Sequence, residues 1–114
     1  MLFRRKSPPR SEAALALLLC LASGLGIGRA AGGSHEQELI SLVRQDCGSC
    51  HGMTLRGGLG KALLPETLAP LDAPAVARVI LDGVPGSPMP PWRGLLSEVD
   101  ALWIATKLKE GFPQ

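Results

Sequence analysis

Hydrophobic positions along the chain fall into four groups separated by polar or Gly/Pro-rich stretches. The first, Ala13 to Ile27, is a run of fifteen residues without a charge. In the second, Leu39, Ile40 and Val43 recur at helical spacing, which predicts a helix over about His35–Asp46. Ser34 stands three residues before Gln37, the spacing of a capping box at its start. The third group, Val76, Val79 and Ile80, predicts the buried face of a short helix. Asp72 would cap it, Pro74 would sit in its first turn and Gly83 would end it. The fourth, Val99, Leu102, Trp103 and Thr106, predicts one side of a last helix over about Glu98–Glu110, capped by Ser97 and stopped by Gly111 and Pro113. Between these groups, residues 52–70 are rich in Gly and Leu and read as a loop wrapped around something apolar. Residues 84–92 hold prolines at 85, 88, 90 and 91, which exclude a helix or a central strand and predict a stiff, extended loop. The expected architecture is all-α, three to four helices with long loops.

The first apolar group is not part of that architecture. Arg4, Arg5, Lys6 and Arg10 precede it and the small residues Gly28 to Gly33 follow it, the order of a secretory signal peptide. It is also shorter than the ~20 residues that cross a bilayer. Residues 1–30 are therefore expected to be a signal peptide and 31–114 the exported domain, with cleavage after Ala30 or Gly32 and no stable membrane association afterwards. Cys20 lies inside the apolar run, and its neighbours remain apolar beyond it, which argues against lipid attachment there. Losing residues 1–30 also changes the charge. The whole chain is formally +2, whereas residues 31–114 carry seven basic and nine acidic side chains, a net −2. The basic character belongs to the export segment, and the domain has no basic patch suited to nucleic acid.

Large side chains are scarce: Phe3, Trp92, Trp103 and Phe112 are the aromatics, and Tyr is absent. A domain this small and this poor in bulk gains from a staple or a bound apolar group. Cys47-Gly48-Ser49-Cys50-His51 points to such a group, because Cys-x-x-Cys-His is the attachment signature of c-type haem. Each sulfur adds to one vinyl group of the ring, and the adjacent histidine then lies under it, able to ligate the iron. A thioredoxin-like pair would need a βαβ setting, which is lacking. A zinc site would need two more ligands, with His35 the one other histidine. A plain disulfide would leave His51 unexplained. For the opposite side of the iron, Met89 in the proline-stiffened loop is the first candidate, His35 a rival, and an open position the third reading. Methionine–histidine ligation suits electron transfer. The second ring N–H of His51 is expected on a carbonyl near Leu64-Pro65. Trp92 and Arg93 are candidates for contact with the haem propionates, and Trp103 for packing the last helix on the first.

With these residues in place, residues 34–110 resemble a class I cytochrome c domain. The resemblance implies one covalent haem c, attached through Cys47 and Cys50 and ligated by His51 and Met89. Leu39 or Val43 stands where many members carry an aromatic on the first helix. The segments CGSCHGMTLRGGLGKALLPETL, ILDGVPGSPMPPW and LLSEVDALWIATKLKE are similar to those of the small monohaem cytochromes encoded with the cytochrome cd type nitrite reductase of denitrifying bacteria. That likeness implies a periplasmic single-electron carrier serving nitrite reduction, an electron-transfer protein and not an enzyme. Its partner would be a redox protein such as that reductase. Two other roles stay open at this stage: electron acceptor in haem d maturation, and a haem-based gas-binding or sensor domain.

Overall fold

The computed structural model describes residues 30–113. The chain divides into the units Met1–Gly32 and Gly33–Gln114, the first almost wholly outside the described residues, as is all but the last residue of the expected signal peptide. Every regular element described is helical. α1 (Ala30–Leu42) runs without a break into a π-helical turn, Val43–Cys47, and then into α2 (Gly48–His51). α3 (Pro65–Leu68), α4 (Ala73–Asp82) and α5 (Glu98–Glu110) follow. The all-α expectation holds.

The first helix is longer at both ends than its apolar spacing suggests. Ala30 and Ala31 are strong helix formers and carry it upstream of Ser34, which therefore lies inside the helix and does not cap it. At the other end nothing stops the chain at Asp46. The Gly48 N–H bonds back to the Val43 carbonyl, five residues earlier, which is the π-turn that leads into α2. The Gly/Leu segment also holds one turn of helix, α3, with Pro65 in its first turn, where the missing N–H costs nothing.

α4 and α5 begin where their caps predict. The Asp72 carboxylate accepts from the Ala75 N–H at 2.7 Å. Ser97 and Asp100 form a reciprocal capping box: the Asp100 N–H donates to Ser97 Oγ at 3.1 Å and the Ser97 N–H to Asp100 Oδ2 at 3.2 Å. Glu98 and Asp100 in the first turn of α5, and Lys107 and Lys109 in its last, complement its dipole.

The faces that these helices bury differ in part from the expected ones. α4 buries Val76, Ala77, Ile80 and Leu81 and leaves Val79 39% exposed. α5 buries Ala101, Ile104, Ala105 and Leu108, while Val99 is 77% and Leu102 43% exposed. The reason lies in α5 itself, where apolar residues occur on every side and spacing does not single out one face. Packing selects the side with two alanines one turn apart, because small side chains let α4 and α5 approach closely. Leu39 and Val43 join the same core, as do Leu55, Leu96 and Phe112. Trp103 is half-buried against it, with Lys107 Nζ 5.9 Å from its ring centroid.

Polar links close the two ends of the domain. Arg44 donates to the Pro113 carbonyl at 2.7 Å, and Lys109 Nζ donates to the Leu68 and Leu71 carbonyls at 3.0 and 2.5 Å. His35, the rival ligand candidate, is exposed and lies 2.7 Å from Asp100 Oδ1, with Glu38 at 3.6 Å. The Asp100 hydrogen bond is the main cause that raises the His35 pKa, and the same bond, followed by that from Ser97, lowers the Asp100 pKa. A raised histidine stabilises the fold below its ordinary range and loses that contribution as pH rises through its raised value. A lowered carboxylate stabilises above its ordinary range and loses it as pH falls through its lowered value. Thermal melting against pH is therefore expected to show a plateau between these limits, and His35→Gln to remove the alkaline limb and to shrink the acid one to the part that Ser97 supplies. Ser97→Ala is expected to cost about 1 kcal/mol in denaturant unfolding.

Candidate functional site

Cys47 ends the π-turn and Cys50 and His51 end α2, so a single stretch of helix carries all three motif side chains. Cys47 is half-buried against the core, Cys50 is exposed, and neither is in a disulfide. Burial, with the Asp46 charge second, pushes the Cys47 thiol up to about 11. At neutral pH it keeps its proton, unlike the attacking thiol of a dithiol oxidoreductase, whose pKa is lowered. Ser49 does not compete for the site, since its hydroxyl donates to the Asp46 carbonyl at 2.7 Å.

His51 is held by the glycine-rich loop that follows it. Its Nδ1 lies 2.6 Å from the Lys61 carbonyl, and because a carbonyl only accepts, Nδ1 carries the proton and Nε2 presents its lone pair. This corrects the expected acceptor near Leu64-Pro65. The loop returns to the helix end sooner than that: the Gly57 N–H donates to the His51 carbonyl at 2.8 Å, and the Gly60 N–H to the Cys50 carbonyl at 2.8 Å. Gly60 is required by contact. A Cβ there would lie 2.7 Å from Cε1 and 2.8 Å from Nδ1 of the imidazole.

Leu55, which sequence reasoning passed over, anchors this loop. It is 5% exposed and has φ +60°, a region that a branched, bulky residue adopts at a cost of about 1–3 kcal/mol. Burying its side chain returns about 1.5–3 kcal/mol, and its carbonyl accepts from the Leu63 N–H at 2.9 Å. The sequence offers no signal for it, since Leu55 stands alone between Thr54 and Arg56.

Met89 belongs to a different piece of structure, the loop after α4. The Val84 N–H donates to the Met89 carbonyl at 3.2 Å, the Met89 N–H to Ser87 Oγ at 3.2 Å, and that hydroxyl to the Val84 carbonyl at 2.7 Å. Gly83, at φ +67°, makes the turn, and a Cβ on it would come 2.7 Å from the Met89 carbonyl oxygen. The far end of the loop is tied back to α4 by the Trp92 N–H, 3.0 Å from the Leu81 carbonyl. Met89 is thus half-buried on a braced backbone. Arg93 is paired with carboxylates, Asp82 at 2.6 Å and Glu98 at 3.4 Å.

These residues fit a haem by their chemistry. Among the described residues no three His, Cys, Asp or Glu side chains gather as a metal cluster, so a zinc ligand set is missing. A haem asks less of the protein: two free thiols, one imidazole with its outer nitrogen held by a carbonyl, and a soft thioether. Val79 and Val84, which flank the turn before Met89, remain 39% and 43% exposed, as suits side chains beside an apolar ring.

Comparisons with known proteins give the chain its family. A family profile described as "Cytochrome C oxidase, cbb3-type, subunit III" matches residues 36–106. The chain is 50% identical to "Cytochrome c55X" of Paracoccus denitrificans (strain Pd 1222) over 84% of its own length and 93% of that protein's. Among solved structures, "c-type cytochrome NirC" superposes with a TM-score of 0.67 at 49% identity, over 68% of this chain and 92% of that one. "Dihydro-heme d1 dehydrogenase NirN in complex with DHE" superposes with a TM-score of 0.59 at 36% identity, over 65% of this chain and 16% of that larger one.

Gly60→Ala tests the hold on His51. The added methyl must displace the ring or the loop, so the yield of haem-loaded protein is expected to fall several-fold, while Gly86→Ala, in open space but also at positive φ, is expected to show only its backbone strain in a melting curve.

Proposed function

From the premise that this chain belongs to the c-type cytochromes, in the family of cbb3-type oxidase subunit III and with the cytochrome c55X proteins as relatives, we propose a periplasmic single-electron carrier for nitrite reduction. One covalent c-type haem is its cofactor, and a redox protein its partner. The observation that carries the residue assignment is His51 with Nδ1–H on the Lys61 carbonyl and Nε2 directed elsewhere, one residue from an unbridged thiol.

In this reading Cys47 and Cys50 would hold the haem through two thioether bonds. His51 and Met89 would ligate its iron. The bound group supplies a one-electron iron couple. The chain's part is to hold neutral donors on braced backbone, so that neither donor needs to gain or lose a proton when the charge changes. Methionine opposite histidine raises the reduction potential. The partner proposed is the cytochrome cd type nitrite reductase. Residues 1–30 direct export and are removed, leaving a domain of net charge −2; among the described residues no helix is long and apolar enough to cross a membrane.

The superposition on NirN, described as a dihydro-heme d1 dehydrogenase, favours a second reading, electron acceptance during haem d maturation. Deleting the gene separates the two. A donor leaves the reductase with its full haem d and slows nitrite reduction; a maturation partner leaves the reductase protein present but depleted in haem d.

Met89→Ala is expected to abolish the weak long-wavelength band of the oxidised iron–methionine bond, to lower the potential and to let the reduced protein bind carbon monoxide. Persistence of the band would remove Met89 from the site, and fast carbon monoxide binding by the unaltered protein would favour a gas sensor. Mass spectrometry of the exported protein is expected to show one haem added and a start after Ala30 or Gly32.

A further inference from the structure

The loop that holds His51 also has an outer face. Leu59, at its tip, is 95% exposed, more than any other large apolar side chain described, and Met53 nearby is 66% exposed. Arg56 and Lys61 flank Leu59, and both are exposed. The charge pattern around them is one-sided. Residues 47–65 contain these two cations and no acid, although nine acids are spread over residues 31–114.

Most other cations of the domain are occupied. Arg44 holds the Pro113 carbonyl, Arg93 holds Asp82 and Glu98, Lys107 holds Glu110 and Lys109 holds two carbonyls. Among the described residues, Arg56, Lys61 and Arg78 have no carboxylate or carbonyl for their side chains. Two of those three stand at one loop tip, with an apolar side chain between them.

The tip is also preformed. Besides the bonds to Cys50 and His51, the Gly58 N–H donates to the Gly60 carbonyl at 3.0 Å, and buried Leu55 pins the loop's start. A braced apolar projection loses little freedom on being covered, which is what an interface centre requires. Flanking charges steer encounter and set orientation.

We propose that Met53, Arg56, Leu59 and Lys61 form the docking surface for a redox protein whose own contact face is apolar at its centre and acidic at its rim. The assignment rests on the electron-carrier reading and adds to it the place and the charge of the contact. A partner bound there touches the loop that is hydrogen-bonded to Cys50 and His51, so the electron's route into the site is short.

The probes are two trianions applied to the haem-loaded protein, hexacyanoferrate(III) as oxidant and hexacyanochromate(III) as a redox-inert paramagnetic label. Oxidation by the first is expected to slow as salt is added, the sign of attraction, and the second to broaden the amide resonances of residues 53–61 before others. Arg56→Glu with Lys61→Glu is expected to lower the low-salt rate about tenfold and to reverse its salt dependence, whereas Arg78→Glu, on α4, changes it little. If oxidation of the unaltered protein quickens with salt, or Arg78→Glu acts as strongly as the loop pair, the docking assignment is overturned while the carrier reading stands. A protein that takes up no haem, or shows no reversible one-electron couple, overturns both.

Discussion

The hydrogen bond from His51 Nδ1 to the Lys61 carbonyl is the contact on which the rest of the site depends. An imidazole at the end of a helix turns about two side-chain bonds, and ligation in a set direction would require that both be fixed. Here the fixing is done by backbone. The loop returns through bonds to the carbonyls of Cys50 and His51, brings Gly60 against the ring face and delivers one acceptor to one nitrogen. Any side chain at position 60 would occupy the space the imidazole needs. The strained backbone at Leu55 is the cost of turning the chain tightly enough, offset by the burial of that residue in the core.

The second arm of the site rests on the packing of α4 against α5. Ala77, Ala101 and Ala105 allow that pair to lie close, Gly83 turns the chain at the end of α4, and the Met89 loop is laced to itself and to the α4 carbonyls. Two independently braced loops thus carry the two donors proposed for the cofactor, one the imidazole and the other the thioether. The same division explains the small aromatic content. A core of Leu, Ile, Val and Ala with one phenylalanine, Phe112, and half-buried indoles is sufficient for the helices, and the apolar flanks left at Val79 and Val84 suit a prosthetic group.

The glycine-rich loop serves two surfaces at once. Its inner side carries the Lys61 carbonyl and the space for His51; its outer side carries Leu59 between two cations. Rigidity needed for the first benefits the second, because a tip held for ligation is also held for contact. The π-turn at Val43–Cys47 has a comparable double use. Val43, fully buried, belongs to the core, and Cys47 at its end belongs to the site.

Much of this was legible in the linear pattern because it is local. Cys47, Cys50 and His51 lie within five residues, Asp72 and Ser97 cap helices three residues away, and Gly83 and Gly111 end them, so each signal and its effect share one stretch of backbone. The four prolines at 85, 88, 90 and 91 likewise marked the loop around Met89. What the sequence could not decide were choices between equivalents at a distance. α5 is apolar on every side, and only the shape of α4 selects the face with Ala101 and Ala105. The residues from 52 to 63 offer many carbonyls to His51, and only the loop's return path selects Lys61. His35 finds Asp100 sixty-five positions away. Composition and spacing state which groups are available; which of them meet is settled by where the packed helices bring the backbone.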